Sequence, residues 1–227
     1  MPTGTAGTPG ADIGALAAWE RTTGSPGVKV AVVDSGIAFG QPDLAPNIWH
    51  NPGEIAGNGI DDDGNGYVDD ISGWDFLFDD NDPLDNVDYG HGTGEARDST
   101  SADGNGGTVG TCPQCRFLPV RVGDSFIAEG GRFAAGVLFG LDSGADVVQE
   151  ALGAINNPTQ AQAAIDAAYR RGVPVVASMA DEASKHPNLP AALNHTIAVN
   201  SVTNAVPGEL AGLADQLVGD GDSDYLA

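Results

Sequence analysis

The sequence predicts an α/β protein built from βαβ units around a mostly parallel sheet, and three observations predict it. The run Val28-Lys29-Val30-Ala31-Val32-Val33-Asp34 is apolar and β-branched at nearly every position, the pattern of a strand buried on both faces. Similar short runs recur later in the chain, separated by segments of about a dozen residues with helical apolar spacing. Thirty-three glycines and 14 prolines supply tight turns without any low-complexity tract or internal repeat.

Each element has its own warrant. Residues 13–21 read as a short helix, with Ile13, Leu16, Ala17 and Glu20 marking its turns. Residues 28–34 form the first strand. Residues 116–122 are the second candidate strand, demoted by Pro119, which has no N–H for a ladder. Residues 128–141 carry Phe133, Val137 and Leu141 at four-residue spacing, one apolar helical stripe. Residues 145–149 are a short strand. Residues 159–171 form the clearest helix, with Ala161, Ile165, Ala168 and Tyr169 on one side and Gly172 as its C′ residue. Residues 173–178 and 196–202 complete the strands. In such sheets sites gather at the carboxyl ends of strands, which points to Asp34 and Asp181.

Composition narrows the function. At 227 residues one domain, or one domain with a small extension, is expected, and 41% of the residues are hydrophobic, enough for a core. Nine basic side chains face 32 acidic ones, a net charge of −23 that argues against nucleic acid and anionic membranes as partners. No apolar run approaches ~18 residues, so membrane insertion is not expected. Between residues 54 and 103 lie 15 acids and the lone base Arg97. The opening residues from Met1 to Gly10 have neither a basic nor an apolar signal-peptide region, so the start reads as a cut, a mis-assigned start or a cytoplasmic protein. Cys112 and Cys115, in Cys-Pro-Gln-Cys, fit a redox pair, half a zinc site or a small-loop disulfide. No histidine is spaced as a zinc partner and residues 116–122 read as a strand, so a structural disulfide or inert thiols are favoured.

Part of the acid is ordered by type. From Asp61 the chain reads D-x-D-x-N-G-Y-x-D-D, which offers oxygens from Asp61, Asp63 and Asn65, a turn at Gly66 and the Tyr67 carbonyl. That is the start of a calcium loop, closed by Asp69 or Asp70 because Ser72 stands where an EF-hand has Glu. The plainer reading is a solvated acidic loop. The later acids Asp79, Asp80 and Asp82 are less ordered in type.

Asp34-Ser35-Gly36 ends the first strand, and Gly90-His91-Gly92-Thr93 follows it with small residues that let backbone crowd an imidazole. Alone, a strand-end Asp is commonly a helix cap and a lone His is usually a surface residue; the ordered pair is far more specific. Together with Ala17-Ala18-Trp19, Leu118-Pro119-Val120-Arg121-Val122, residues 147–153 and residues 173–178, these motifs resemble the subtilisin-like serine proteases over most of the chain. The resemblance implies a three-layer α/β/α fold, incomplete at its C-terminus here, and peptide-bond hydrolysis by an Asp-His-Ser triad. It makes Asp34 the acid that orients the imidazole and His91 the general base. It puts Ala151, Leu152 and Gly153 at the segment beside which substrate adds as a strand. It also implies a polypeptide substrate, a monomer, a secreted location and a structural calcium in the insert spanning residues 51–88.

Three departures qualify it. No Gly-Thr-Ser-like nucleophile motif occurs, and Ser223, flanked by Asp222 and Asp224, is a poor substitute. The chain therefore reads as stopping before the serine, with a non-catalytic, calcium-stabilised peptide-binding module as the alternative. The resemblance puts Asp181 at the oxyanion position, where the family usually carries Asn; the plainer reading is that Asp181 caps a turn or helix. Finally, the helix after His91 is expected to be disrupted, because Gly94-Glu95-Ala96-Arg97-Asp98-Ser99-Thr100 is polar where the family has small packing residues.

Overall fold

The computed structural model describes residues 12–86, 90–125, 127–154, 156, 159–179 and 188–199. Strands β1 (Lys29–Asp34), β2 (Trp74–Asp75), β3 (Arg116–Arg121), β4 (Ile127–Ala128), β5 (Val147–Glu150), β6 (Gly153–Ala154), β7 (Val175–Ser178) and β8 (Thr196–Val199) alternate with helices α1 (Ala15–Trp19), α2 (His91–Thr100), α3 (Gly130–Asp142) and α4 (Thr159–Arg171). The main sheet runs β2-β3-β1-β5-β7-β8, with every pairing parallel. β4 and β6 form a separate parallel pair.

β1 organises the layers. Its alternate side chains serve opposite faces. Ala31 and Val33 join Leu118, Val120, Val148 and Val175 beneath Phe133 and Val137 of α3 and Ala164, Ile165 and Ala168 of α4. Val30 and Val32 face the other way, with Phe117, Ile37, Leu44 and Ala96 of α2. The result is the three-layer α/β/α arrangement. Each fully buried valine here contributes roughly 1.5–3 kcal/mol. Because β1 pairs with β3 on one side and β5 on the other, the chain's direction of growth reverses at it, and β1's carboxyl end is where a site belongs.

Several expectations need correction. Helix α2 is intact over ten residues despite its polar sequence. Gly92, Ala96 and Thr100 recur every four residues as a small buried face, and the Thr100 and Ser101 hydroxyls donate to carbonyls four residues back. Helix α3 begins at Gly130 and not at Ala128: Ala128 belongs to β4, and the Glu129 carboxylate caps the helix by accepting from the Gly131 and Arg132 amides. Tyr169 is exposed and stacks on His195 at 4.0 Å, off the buried stripe of α4. The short β2, β4 and β6 are too brief to leave a periodic signal. Pro119 is accommodated within β3 because β2 pairs only with Val120 and Arg121. Residues 200–202, assigned to the last strand from sequence, lie outside the described residues. Cys112 and Cys115 are joined in a disulfide that packs tightly against Gly24.

Beyond β1, the α2 side of the sheet carries Val176 and, in register with it, Ile197 of β8, which is 52% exposed. No helix among the described residues covers that part of the face.

One buried ion pair ties the long loop to the sheet. Arg121, at the end of β3, donates to Asp75 (3.2 Å), the Leu84 carbonyl (3.1 Å), Asn86 (2.9 Å) and the Gly123 carbonyl (3.3 Å). Asp75 also accepts from the Leu77 and Phe78 amides, and neither Arg121 nor Asp75 is exposed above 1%. Breaking a buried pair from one side leaves a stranded charge. Arg121→Leu is expected to destabilise the protein by about 3–5 kcal/mol, read as a fall in the urea midpoint; an unchanged midpoint refutes the role.

Candidate active site

Asp34 is the last residue of β1 and is 1% exposed. Its Oδ1 accepts from the Ser35 amide at 2.7 Å and lies 2.8 Å from Nδ1 of His91, the first residue of α2. A carboxylate accepts only, so Nδ1 carries the hydrogen and Nε2 keeps its lone pair. The imidazole is thereby set in the tautomer that accepts a proton at Nε2.

The sequence around His91 explains the placement. A Cβ on Gly92 would meet the Gly36 carbonyl at 2.3 Å and the Asp34 side chain at 3.0 Å, so only glycine lets α2 approach β1 this closely. The Gly92 amide donates to the Ser35 hydroxyl at 3.0 Å. Thr93 donates its hydroxyl to Asp85 at 2.6 Å, and its amide donates to the same oxygen at 3.3 Å. The Thr93 hydroxyl also accepts from the Ala38 amide at 2.9 Å. Asp85 therefore holds the first turn of α2 and favours the positive end of its dipole. Nothing in the sequence singled Asp85 out from the other acids of the insert.

Two further acids surround the pair. Glu95, one turn after His91, receives the Gln149 side-chain amide on its carboxylate (3.0 Å) and on its backbone carbonyl (3.1 Å). Burial pushes its carboxyl up to about 7; the nearby Asp34 adds to this and His91 opposes it. Glu150, at the end of β5, is 3% exposed. Its Oε1 accepts from the Leu152 amide at 2.7 Å, whereas its Oε2 has no hydrogen-bond partner among the described residues. Burial, then Asp34, pushes it well above the ordinary carboxyl range. The signal in the sequence was the polar stretch after His91, which marked a disturbed helix in expectation and an acid in fact.

Of the segment expected to receive substrate, Leu152 is buried, Ala151 is half-buried and Gly153 opens β6, paired with Ile127 of β4. Asp181 lies outside the described residues.

Two of the residues expected as calcium ligands, Asp63 and Asp70, meet in the acidic loop. Its converging carboxylates are Glu54, Asp63 and Asp70, with oxygens within 4.8 Å of one another. Asp61 accepts from the Gly64, Asn65 and Gly66 amides, and Glu54 from the Asp62, Asp63 and Asp69 amides. Asp69, in a left-handed backbone conformation (φ 54°), accepts from the Gly57, Asn58 and Gly59 amides. The Tyr67 ring packs against Trp74, Phe76 and Phe139. Asn65 turns its NH2 toward Asp63 and Asp70, as does Asn51. Spacing alone missed Glu54 because it precedes the motif and returns to it only through the turn. Burial pushes Asp70 up to about 6, and Asp63 and Glu54 add to that rise while the two Asn side chains oppose it. Three convergent carboxylates, one of them buried, fit a hard divalent cation.

A parallel α/β sheet that holds an acid–imidazole pair at the carboxyl end of its central strand defines the class of protein. The chain belongs to the subtilase family: the Peptidase S8 model of that family matches residues 25–216. It is similar to thermitase of Thermoactinomyces vulgaris, 33% identical over 188 residues that cover 81% of this chain and 58% of thermitase. It is also similar to the major intracellular serine protease of Bacillus subtilis, 29% identical over 194 residues, 82% of this chain and 54% of that one. The chain thus spans a little over half the length of these relatives. Among solved structures, the S41 psychrophilic protease superposes with a TM-score of 0.63 at 22% identity, over 86% of this chain and 62% of its own. The prenylagaramide maturation protease PagA superposes with a TM-score of 0.62 at 19% identity, over 85% of this chain and 60% of its own. These structures share the fold.

The buried acids set a direction for stability against pH. A carboxyl whose folded pKa is raised stabilises the fold below its unfolded pKa and loses that contribution as pH rises through the folded value. Relative to Glu150→Gln, which keeps an acceptor for the Leu152 amide, the wild-type Tm is expected to drop by several degrees between pH 5 and pH 8. A constant gap across that range refutes ionisation of Glu150 as the cause.

Proposed function

We propose that this chain carries the acid and base of a serine endopeptidase site, with the nucleophilic serine supplied by sequence outside these 227 residues. The observation that carries the reading is the 2.8 Å contact between His91 Nδ1 and buried Asp34 at the carboxyl end of β1. In this role His91 Nε2 takes the proton of a serine hydroxyl as it attacks a peptide carbonyl, then gives it to the leaving amine. Asp34 holds the tautomer and stabilises the imidazolium that forms. The substrate is an extended polypeptide running along residues 151–153, bound through main-chain hydrogen bonds. Asp181 stands at the oxyanion position, where an ionised carboxylate opposes the developing charge and only the protonated acid donates; losing one such donor costs ~3–4 kcal/mol. The apolar face at Val176 and Ile197, which no helix among the described residues covers, supports a fold in which further residues complete the core. The same reading makes the protein a monomeric single domain acting outside the cell, consistent with its disulfide.

The acidic loop, residues 51–88, is proposed to hold a structural calcium through Glu54, Asp63 and Asp70. The ion supplies positive charge that relieves the repulsion among these carboxylates, and it takes no part in the reaction.

Two experiments test this reading. A fluorophosphonate probe is expected to label the full-length protein. His91→Ala should abolish labelling, with loss of activity on the order of 10⁶-fold. A folded full-length protein that binds peptide without labelling overturns the protease reading in favour of the non-catalytic module. EDTA is expected to lower the Tm of the wild type, by the equivalent of about 2.7 kcal/mol at calcium a hundredfold over its Kd, and to leave Asp70→Asn unmoved. Equal EDTA sensitivity of both proteins refutes the site.

A further inference from the structure

We propose that Glu95 is a positioning residue for the His91–Asp34 pair: its carboxyl titrates in concert with the imidazole and sets the pH at which His91 becomes a base. The inference rests on the proposed protease reading only for its catalytic consequence.

The geometry comes from one helix and one strand. Glu95 follows His91 by four residues on α2, so the two side chains leave the same face of the helix, with Cβ atoms about 5–6 Å apart. Gln149 fixes the carboxyl from the sheet side by donating to Glu95 Oε2 at 3.0 Å and to the Glu95 carbonyl at 3.1 Å. Gln149 is itself in register with Val32, two residues before Asp34, so it holds Glu95 near the end of β1 that carries Asp34. The next residue, Glu150, is buried with one oxygen unpartnered among the described residues, as is Asp34 Oδ2. Glu95 and Glu150 thus add two carboxyls to the neighbourhood of Asp34, the partner of the ring.

The groups that face Glu95 are Asp34 from β1, His91 and Asp98 from its own helix, and Gln149 and Glu150 from β5. Burial, Asp34 and Asp98 favour its protonated form, while His91 and the Gln149 bond favour its charged form. The coupling has a definite sign. A protonated Glu95 adds no charge to the Asp34 carboxylate that already faces His91. As the pH rises and Glu95 ionises, its new negative charge holds the proton on the imidazole more firmly. The titration of His91 is therefore spread over a wide pH range and displaced upward relative to a site with a neutral residue at position 95. Linked groups of this kind titrate as a unit.

The test is an NMR titration of the full-length protein. The His91 ring signal is assigned by its loss in His91→Ala, and the Glu95 carboxyl is followed by its ¹³Cδ shift. In the wild type, Glu95 is expected to titrate near neutrality, with a shallow, coupled curve for His91. In Glu95→Gln the His91 midpoint should fall by about one pH unit and the curve should steepen to a single proton, whereas Glu95→Asp should retain the coupling. A Glu95 ¹³Cδ midpoint in the ordinary carboxyl range of about 4–5 would overturn the inference without any variant having to fold. So would an unchanged His91 midpoint in a folded Glu95→Gln. A shifted midpoint in a protein whose full-length form takes no fluorophosphonate leaves Glu95's role standing and removes only the protease reading.

Discussion

The hydrogen bond between Asp34 and His91 exists because β1 is buried on both faces and α2 is pressed onto its end. A strand buried on one face has freedom to shift register or twist, but β1 is clamped by β3 and β5 at its sides and by helices above and below. Its last residue therefore points a carboxylate along a fixed direction. Gly92 allows α2 to come close enough for the imidazole to meet it, and Asp85 and Thr93 keep the first turn from drifting. The geometry of the acid–imidazole pair is a by-product of packing that would be needed for the fold alone.

The negative charge of the chain divides into three kinds of acid with different physics. Asp61 and Asp69 are spent on backbone amides, where they shape glycine-rich turns much as capping residues shape helix ends. Glu54, Asp63 and Asp70 bring three carboxylates together on one side of the turn, an arrangement that favours a cation although backbone and Asn amides also donate to them. Glu95 and Glu150 are removed from water beside Asp34, so their protons are held more tightly than usual. A net charge treats these groups alike, although only the exposed remainder behaves as a surface.

Much of the fold was legible because buried parallel strands carry an unusually plain signal. The runs at residues 28–34 and 116–122 and the α4 stripe with Gly172 as its C′ residue appear in the structure within a residue or two of expectation. Helix α2 was misjudged because hydrophobicity is a poor guide where the packing surface is made of Gly, Ala and Thr. In such a helix closeness of approach, and not apolar area, is what the small residues provide. The 1-3-5-7 spacing names Asp63 and Asp70, which do converge, but Glu54 joins them only through the turn, which leaves no mark in the spacing.

By itself, then, the sequence determined the α/β class, the strand that carries Asp34 and the His91 that meets it, because those depend on local pattern and on short motifs with few physical solutions. The tertiary structure alone decided which acids gather. Glu54 reaches the loop cluster across a turn, and Gln149 and Glu150 reach Glu95 across the face between α2 and β5. Such meetings depend on register and burial between segments tens of residues apart, and neither leaves a trace in local spacing.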